Sequence, residues 1–126
     1  MTTSSPDQGL EISTAELAQR LQGHNPPTLA EILGPEHFAS GHLPGAINLP
    51  LEGFAALAQR TLPDKTAAIV VYCASATCAN SHLAQQKLLA LGYRDVRAYK
   101  GGKAAWRDAG LSLERSTETS VATASA

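Results

Sequence analysis

The run AAIVVYC, residues 67–73, continues into ASATCAN (74–80) and SHLAQQKLLALG (81–92), and the reading of this stretch decides the fold. Residues 67–72 are apolar or β-favouring and too uniform to face water on either side, which predicts a central strand of a parallel sheet. In the third segment Leu83, Leu88 and Leu91, with Ala84, predict one apolar side of a helix, and Gly92 is placed as its stop. Downstream, DVRAY (95–99) reads as another strand and GGKAAWRDAG (101–110) as a glycine turn opening a last helix. Upstream, Ser13 and Glu16 form a capping-box pattern ahead of Leu17 and Leu21, predicting a short helix to about residue 22. A strand is predicted over 28–33, a long polar connection over 34–46, a short strand ended by Pro50, and a helix around Phe54, Ala55 and Leu57. Strands alternate with helices, so the class is α/β, with a largely parallel sheet covered on both faces.

The chain has 126 residues, one domain's worth, with 10 basic and 11 acidic residues and a formal charge of -1. No run of like charge provides a footprint for nucleic acid or an anionic membrane, so neither is expected as a partner. No apolar stretch approaches the roughly 18 residues of a spanning helix, and the first residues lack the basic and apolar blocks of a secretory signal. A cytoplasmic setting is expected, and there two cysteines are expected as thiols rather than a permanent staple. Residues 1–9 and 116–126 are small and polar and are expected to be flexible ends around a folded body at 10–115.

Cys73 stands at the carboxyl end of the buried strand, where open α/β sheets place their functional crevice. The loop after it is made of small residues whose amides can curl inward around an anion, and the following helix adds the positive end of its dipole. Such surroundings lower a thiol's pKa, and only the thiolate is strongly nucleophilic. The same cradle suits an enzyme-bound persulfide, with Ala74, Ser75, Ala76, Thr77, Cys78 and Ala79 as its substrate-binding lining. The competing reading is an inert cysteine filling the end of an apolar strand.

Three stretches, EHFASGHLPGAINLP (36–50), IVVYC with its small-residue loop and LLALGYRDVRAYKGG, and GGKAAW (101–106), resemble the rhodanese (sulfurtransferase) homology domain. The resemblance implies a five-stranded parallel sheet flanked by helices, with Cys73 taking sulfane sulfur from a donor and passing it to cyanide or a thiol. A sulfur-carrying protein is a further partner it allows, and no cofactor is implied beyond the transferred sulfur. This chain departs from the family in two places. Where members commonly carry Asp-x-Arg, EIL leaves Glu31 in the acidic place and Leu33 in that of the arginine, a loss expected to be absorbed by local packing. The active loop lacks a cation and contains Cys78, so a dianion such as thiosulfate would meet only backbone dipoles and Lys100 or Lys103. Low-charge donors such as glutathione persulfide, or a protein persulfide, fit a neutral loop better.

Cys78 can be a resolving thiol, attacking a Cys73 persulfide to release sulfide and leave an internal disulfide, or simply a small residue that fits the loop. Zinc wants about four ligands, and the two cysteines and four widely separated histidines do not supply them. His42, between Gly41 and Pro44, reads as a structural tie rather than a general base, Trp106 as a core anchor, and Asn80 and Ser81 as helix caps. Gly101 and Gly102 are expected to let the chain pass close to the active loop. A phosphatase or arsenate reductase would need an arginine at the loop's end, where this chain has Ala79, Asn80 and Ser81; that fork is worth on the order of 3 kcal/mol in the transition state. Two readings stay open beside transfer: a thiol-disulfide or persulfide redox module using Cys73 and Cys78, and a binding module without chemistry.

Overall fold

In the computed structural model, which describes residues 10–115, the chain runs through α1 (Thr14–Leu21), β1 (Thr28–Glu31), α2 (Pro35–Ser40), β2 (Ile47–Asn48) and α3 (Phe54–Thr61). It continues through β3 (Ala68–Tyr72), α4 (Asn80–Ala90), β4 (Asp95–Tyr99) and α5 (Gly102–Asp108). The ends read as flexible, 1–9 and 116–126, lie outside the described residues. All strand pairings are parallel and the order is β2-β1-β3-β4.

The uniform apolar run became the central strand because it has two dry faces to fill. Side chains alternate across a strand. Ile69 and Val71 therefore join Phe54, Ala58, Ala84 and Leu88 beneath α3 and α4. Val70 and Tyr72 join Leu17, Leu29, Tyr99 and Trp106 beneath α1 and α5 on the other face. Val70, Val71 and Tyr72 are at most 2% exposed, so each contributes roughly 1.5–3 kcal/mol of burial. A charge at Val71 would have no water on either side.

The resemblance implies five strands, and the described residues form four. The fifth position is reduced to a bridge between Glu11 and Ala98 at the outer edge of β4, with the Ile12 amide donating to the Ala98 carbonyl. Toward α1 it ends at Ser13, which caps that helix by accepting from the Glu16 amide at 3.1 Å. Only this half of the predicted capping box is used, since the Glu16 carboxylate turns to Arg20 and Arg97, each at 3.2 Å.

The connection predicted as polar loop over 34–46 contains α2. Pro35 in its first turn supplies a preset φ, and Glu36 favours the helix's positive end. The expected apolar side of α4 is also shifted. Ser81, Ala84, Gln85 and Leu88 are buried, while Leu83 is 43% exposed.

Candidate active-site loop

Four chain segments meet at the carboxyl end of β3. Cys73 leaves the strand with 1% of its surface exposed, and the loop 74–79 carries it to α4. Ala74, Ala76, Thr77 and Ala79 are exposed, and Ser75 and Cys78 are half-buried. The Cys78 amide donates to the Ser75 carbonyl at 3.1 Å, and the Ser75 and Thr77 hydroxyls lie 3.0 Å apart, so the loop is a closed turn.

Contrary to the expectation of two thiols, Cys73 and Cys78 are joined in a disulfide, with their Cα atoms 6.4 Å apart. That separation lies inside the range a disulfide spans without backbone displacement. Closing the turn brings carbonyl oxygens to the Cys73 sulfur, where the sequence led us to expect amides, that of Cys78 at 3.4 Å and that of Ser75 at 4.0 Å.

The loop rests on the first turn of α5. The Lys103 amide donates to the Cys73 carbonyl at 3.1 Å, and the Ala104 amide to the Ala74 carbonyl at 2.9 Å. This close approach is possible because position 102 is glycine. Gly102 has φ +62°, and a Cβ there would run into the Cys73 carbonyl oxygen. Of the glycine pair, Gly102 brings the chain against the active loop as its sequence suggested, whereas Gly101 lies against Ala105 and Tyr99.

Beneath the loop lies a buried polar network that sequence reasoning missed. Glu31, at the end of β1 and wholly buried, accepts from the Tyr72 hydroxyl at 2.8 Å and from the Lys103 ammonium at 3.0 Å. Lys103 also donates to the carbonyls of His37 at 2.9 Å and Gly41 at 2.7 Å. The Leu43 amide donates to the Tyr72 hydroxyl at 3.0 Å. Burial first, and then the Glu31 charge, push the Tyr72 phenol far above its ordinary range. Packing alone therefore does not absorb the missing arginine at Leu33. A cation from α5 answers the Glu31 carboxylate, 72 positions along the chain.

That arrangement also removes Lys103 as a partner for a dianionic donor. Lys100, the other candidate, pairs with Glu11 at 2.7 Å. Asn80 does not cap α4; its side-chain amide donates to the Ile32 carbonyl at 2.9 Å, tying the helix to the exit of β1, while Ser81 is buried. His42 is structural as read: Nδ1 lies 2.9 Å from the Phe38 carbonyl, the ring stacks on Phe38 at 4.0 Å, and its backbone bridges Glu114. Trp106 is a core anchor whose indole N–H donates to the Ser112 carbonyl.

Comparison with known proteins agrees with this architecture. The chain is 33% identical over 103 residues to a protein of Allochromatium vinosum named Sulfurtransferase, covering 82% of this chain and 92% of that one. It is also 33% identical over 103 residues to the HTH-type transcriptional regulator Rv0324 of Mycobacterium tuberculosis, of which it spans only 44%. Among solved structures, the BH2092 protein of Bacillus halodurans superposes with a TM-score of 0.78 at 25% identity, over 85% of this chain and 77% of that one. Residues 13–109 match the rhodanese-like domain, and with Cys73 at the end of its central parallel strand the chain belongs to that family.

Proposed function

We propose that this chain is a sulfurtransferase that carries sulfane sulfur as a persulfide on Cys73. The observation that carries the reading is the placement of Cys73, directly after β3 in a loop of small uncharged residues, within a rhodanese-like domain. In the reduced protein the Cys73 thiolate attacks the sulfane sulfur of a donor, the rest of the donor leaves, and a thiol or cyanide then removes the sulfur. The name Sulfurtransferase of the Allochromatium relative supports the same class of reaction. Residues 74–79 line the donor's place, and the loop must open for it, since the closed turn leaves Cys73 1% exposed.

Donor choice follows from charge. The loop has no cation, and Lys100 and Lys103 are engaged with Glu11 and Glu31. Thiosulfate, a dianion, is therefore a poor donor beside low-molecular-weight persulfides or a protein persulfide. The setting proposed is cytoplasmic, where thiols keep the loop reduced. A donor panel with wild type and Cys73→Ser tests this: transfer is expected from persulfide donors with wild type alone, and turnover by Cys73→Ser would exclude Cys73 as the nucleophile.

A second reading, thiol-disulfide exchange without efficient thiosulfate turnover, is favoured by the bond between Cys73 and Cys78. It predicts cycling of that bond with no sulfur adduct on Cys73.

A further inference from the structure

We propose that the loop is a persulfide reductase site: Cys78 discharges the Cys73 persulfide as sulfide, and an external thiol resets the loop by attacking Cys78, not Cys73. The inference rests on the persulfide reading above and adds a second fate for the sulfur when no acceptor is present.

The two sulfurs are within bonding reach without rearrangement of β3 or α4, because the turn closed by the Cys78 amide and the Ser75 carbonyl holds the Cα atoms 6.4 Å apart. A persulfide on Cys73 has a weak S–S bond at that distance from a second thiol. The Cys78 thiolate attacks the inner sulfur, Sγ of Cys73; the bond between the two cysteines forms, the bond to the outer sulfur breaks, and the outer sulfur leaves with the electron pair as hydrosulfide. The outer sulfur gains two electrons, and the cysteine pair is oxidised by two. The product is the closed loop of the structure.

Burial then fixes how the loop reopens. Exchange requires access to the sulfur attacked. Cys73 is 1% exposed and lies beneath the loop, whereas Cys78 is half-buried on its rim. A thiol reductant forms a mixed disulfide with Cys78, Cys73 leaves as the thiolate, and a second thiol frees Cys78. Over one cycle a persulfide and two thiols yield a thiol, hydrogen sulfide and an external disulfide. The group freed first is the nucleophile that accepts the next sulfur. In the closed state Cys73 has neither a lone thiolate nor solvent access, so the oxidised loop is silent toward donors.

The test uses the full chain, reduced and desalted, loaded anaerobically with glutathione persulfide and separated from excess donor. Sulfide release is followed with a selective electrode, and the cysteine peptides are analysed after acid quench. Wild type is expected to release about one equivalent of sulfide and to end with Cys73 joined to Cys78, while Cys78→Ser keeps the adduct on Cys73 and releases sulfide about tenfold more slowly or less. Equal release by Cys78→Ser and wild type, with adducts formed in both, overturns this proposal and leaves sulfur transfer standing. No adduct in either protein overturns the persulfide reading, and this one with it. In a second arm the oxidised wild type is treated with one small monothiol and trapped with an alkylating reagent. The monothiol is expected on Cys78 and the alkyl group on Cys73; the reverse placement contradicts the direction of reset.

Discussion

The ammonium of Lys103 lies 3.0 Å from Oε2 of Glu31, with 10% of the lysine side chain and none of the glutamate side chain open to solvent. The same residue's amide holds the Cys73 carbonyl. One position thus joins the exit of β1, the α2–β2 connection and the base of the reactive loop.

Removing one partner of a buried pair leaves the other charge without compensation. Lys103→Met is expected to destabilise the fold by about 3–5 kcal/mol, and the double variant with Glu31→Gln by less than the two single changes added. Urea unfolding of the three variants measures this. Additive losses would show that the pair is not coupled.

Tyr72→Phe removes a donor from Glu31 Oε1 and an acceptor from the Leu43 amide, both buried. A loss of about 1–3 kcal/mol is expected in chemical denaturation. The variant also has a pH signature. Burial and the Glu31 charge raise the folded-state pKa of Tyr72 above its ordinary value of 10.0. The phenol therefore stays protonated in the fold while it ionises in the unfolded chain. Its stabilisation is complete below about pH 10 and is lost as pH rises further. Wild type is expected to lose stability above that pH more steeply than Tyr72→Phe. Some alkaline loss remains in the variant, because burial raises Tyr93 and Tyr99 in the same direction.

Gly102→Ala meets both a left-handed backbone, φ +62°, and the Cys73 carbonyl. The strain is roughly 1–3 kcal/mol, and relief would displace the loop. Lower thermal stability and slower sulfur loading of the reduced protein are expected together. An alanine variant with unchanged loading would show that the contact does not position Cys73.

Much of this was legible in the sequence, for a physical reason. Residues 68–72 are apolar on both faces, which only a covered central strand satisfies, and that placed Cys73 at a sheet's carboxyl end. Gly92 and the pair at 101 and 102 marked real turns, with Gly92 at φ +100°. α2 was hidden because its six residues bury none, leaving no apolar period to read; Pro35 followed by Glu36 was the available signal. The role of Lys103 was hidden because its partner is remote in sequence, so the lysine reads as a cation for the donor until Glu31 is found beneath it. The spacing of Cys73 and Cys78 permitted a bond without dictating one, since the bond depends on the loop's turn and on redox conditions.

Peptide-level mass spectrometry of the reduced protein after brief exposure to glutathione persulfide bears most directly on sulfur transfer. An added mass of about 32 Da on the peptide carrying Cys73, short-lived in wild type, retained in Cys78→Ser, absent from Cys73→Ser and removed by cyanide, is the expected result. A reduced, folded protein whose Cys73 stays unmodified while donor is consumed would contradict it.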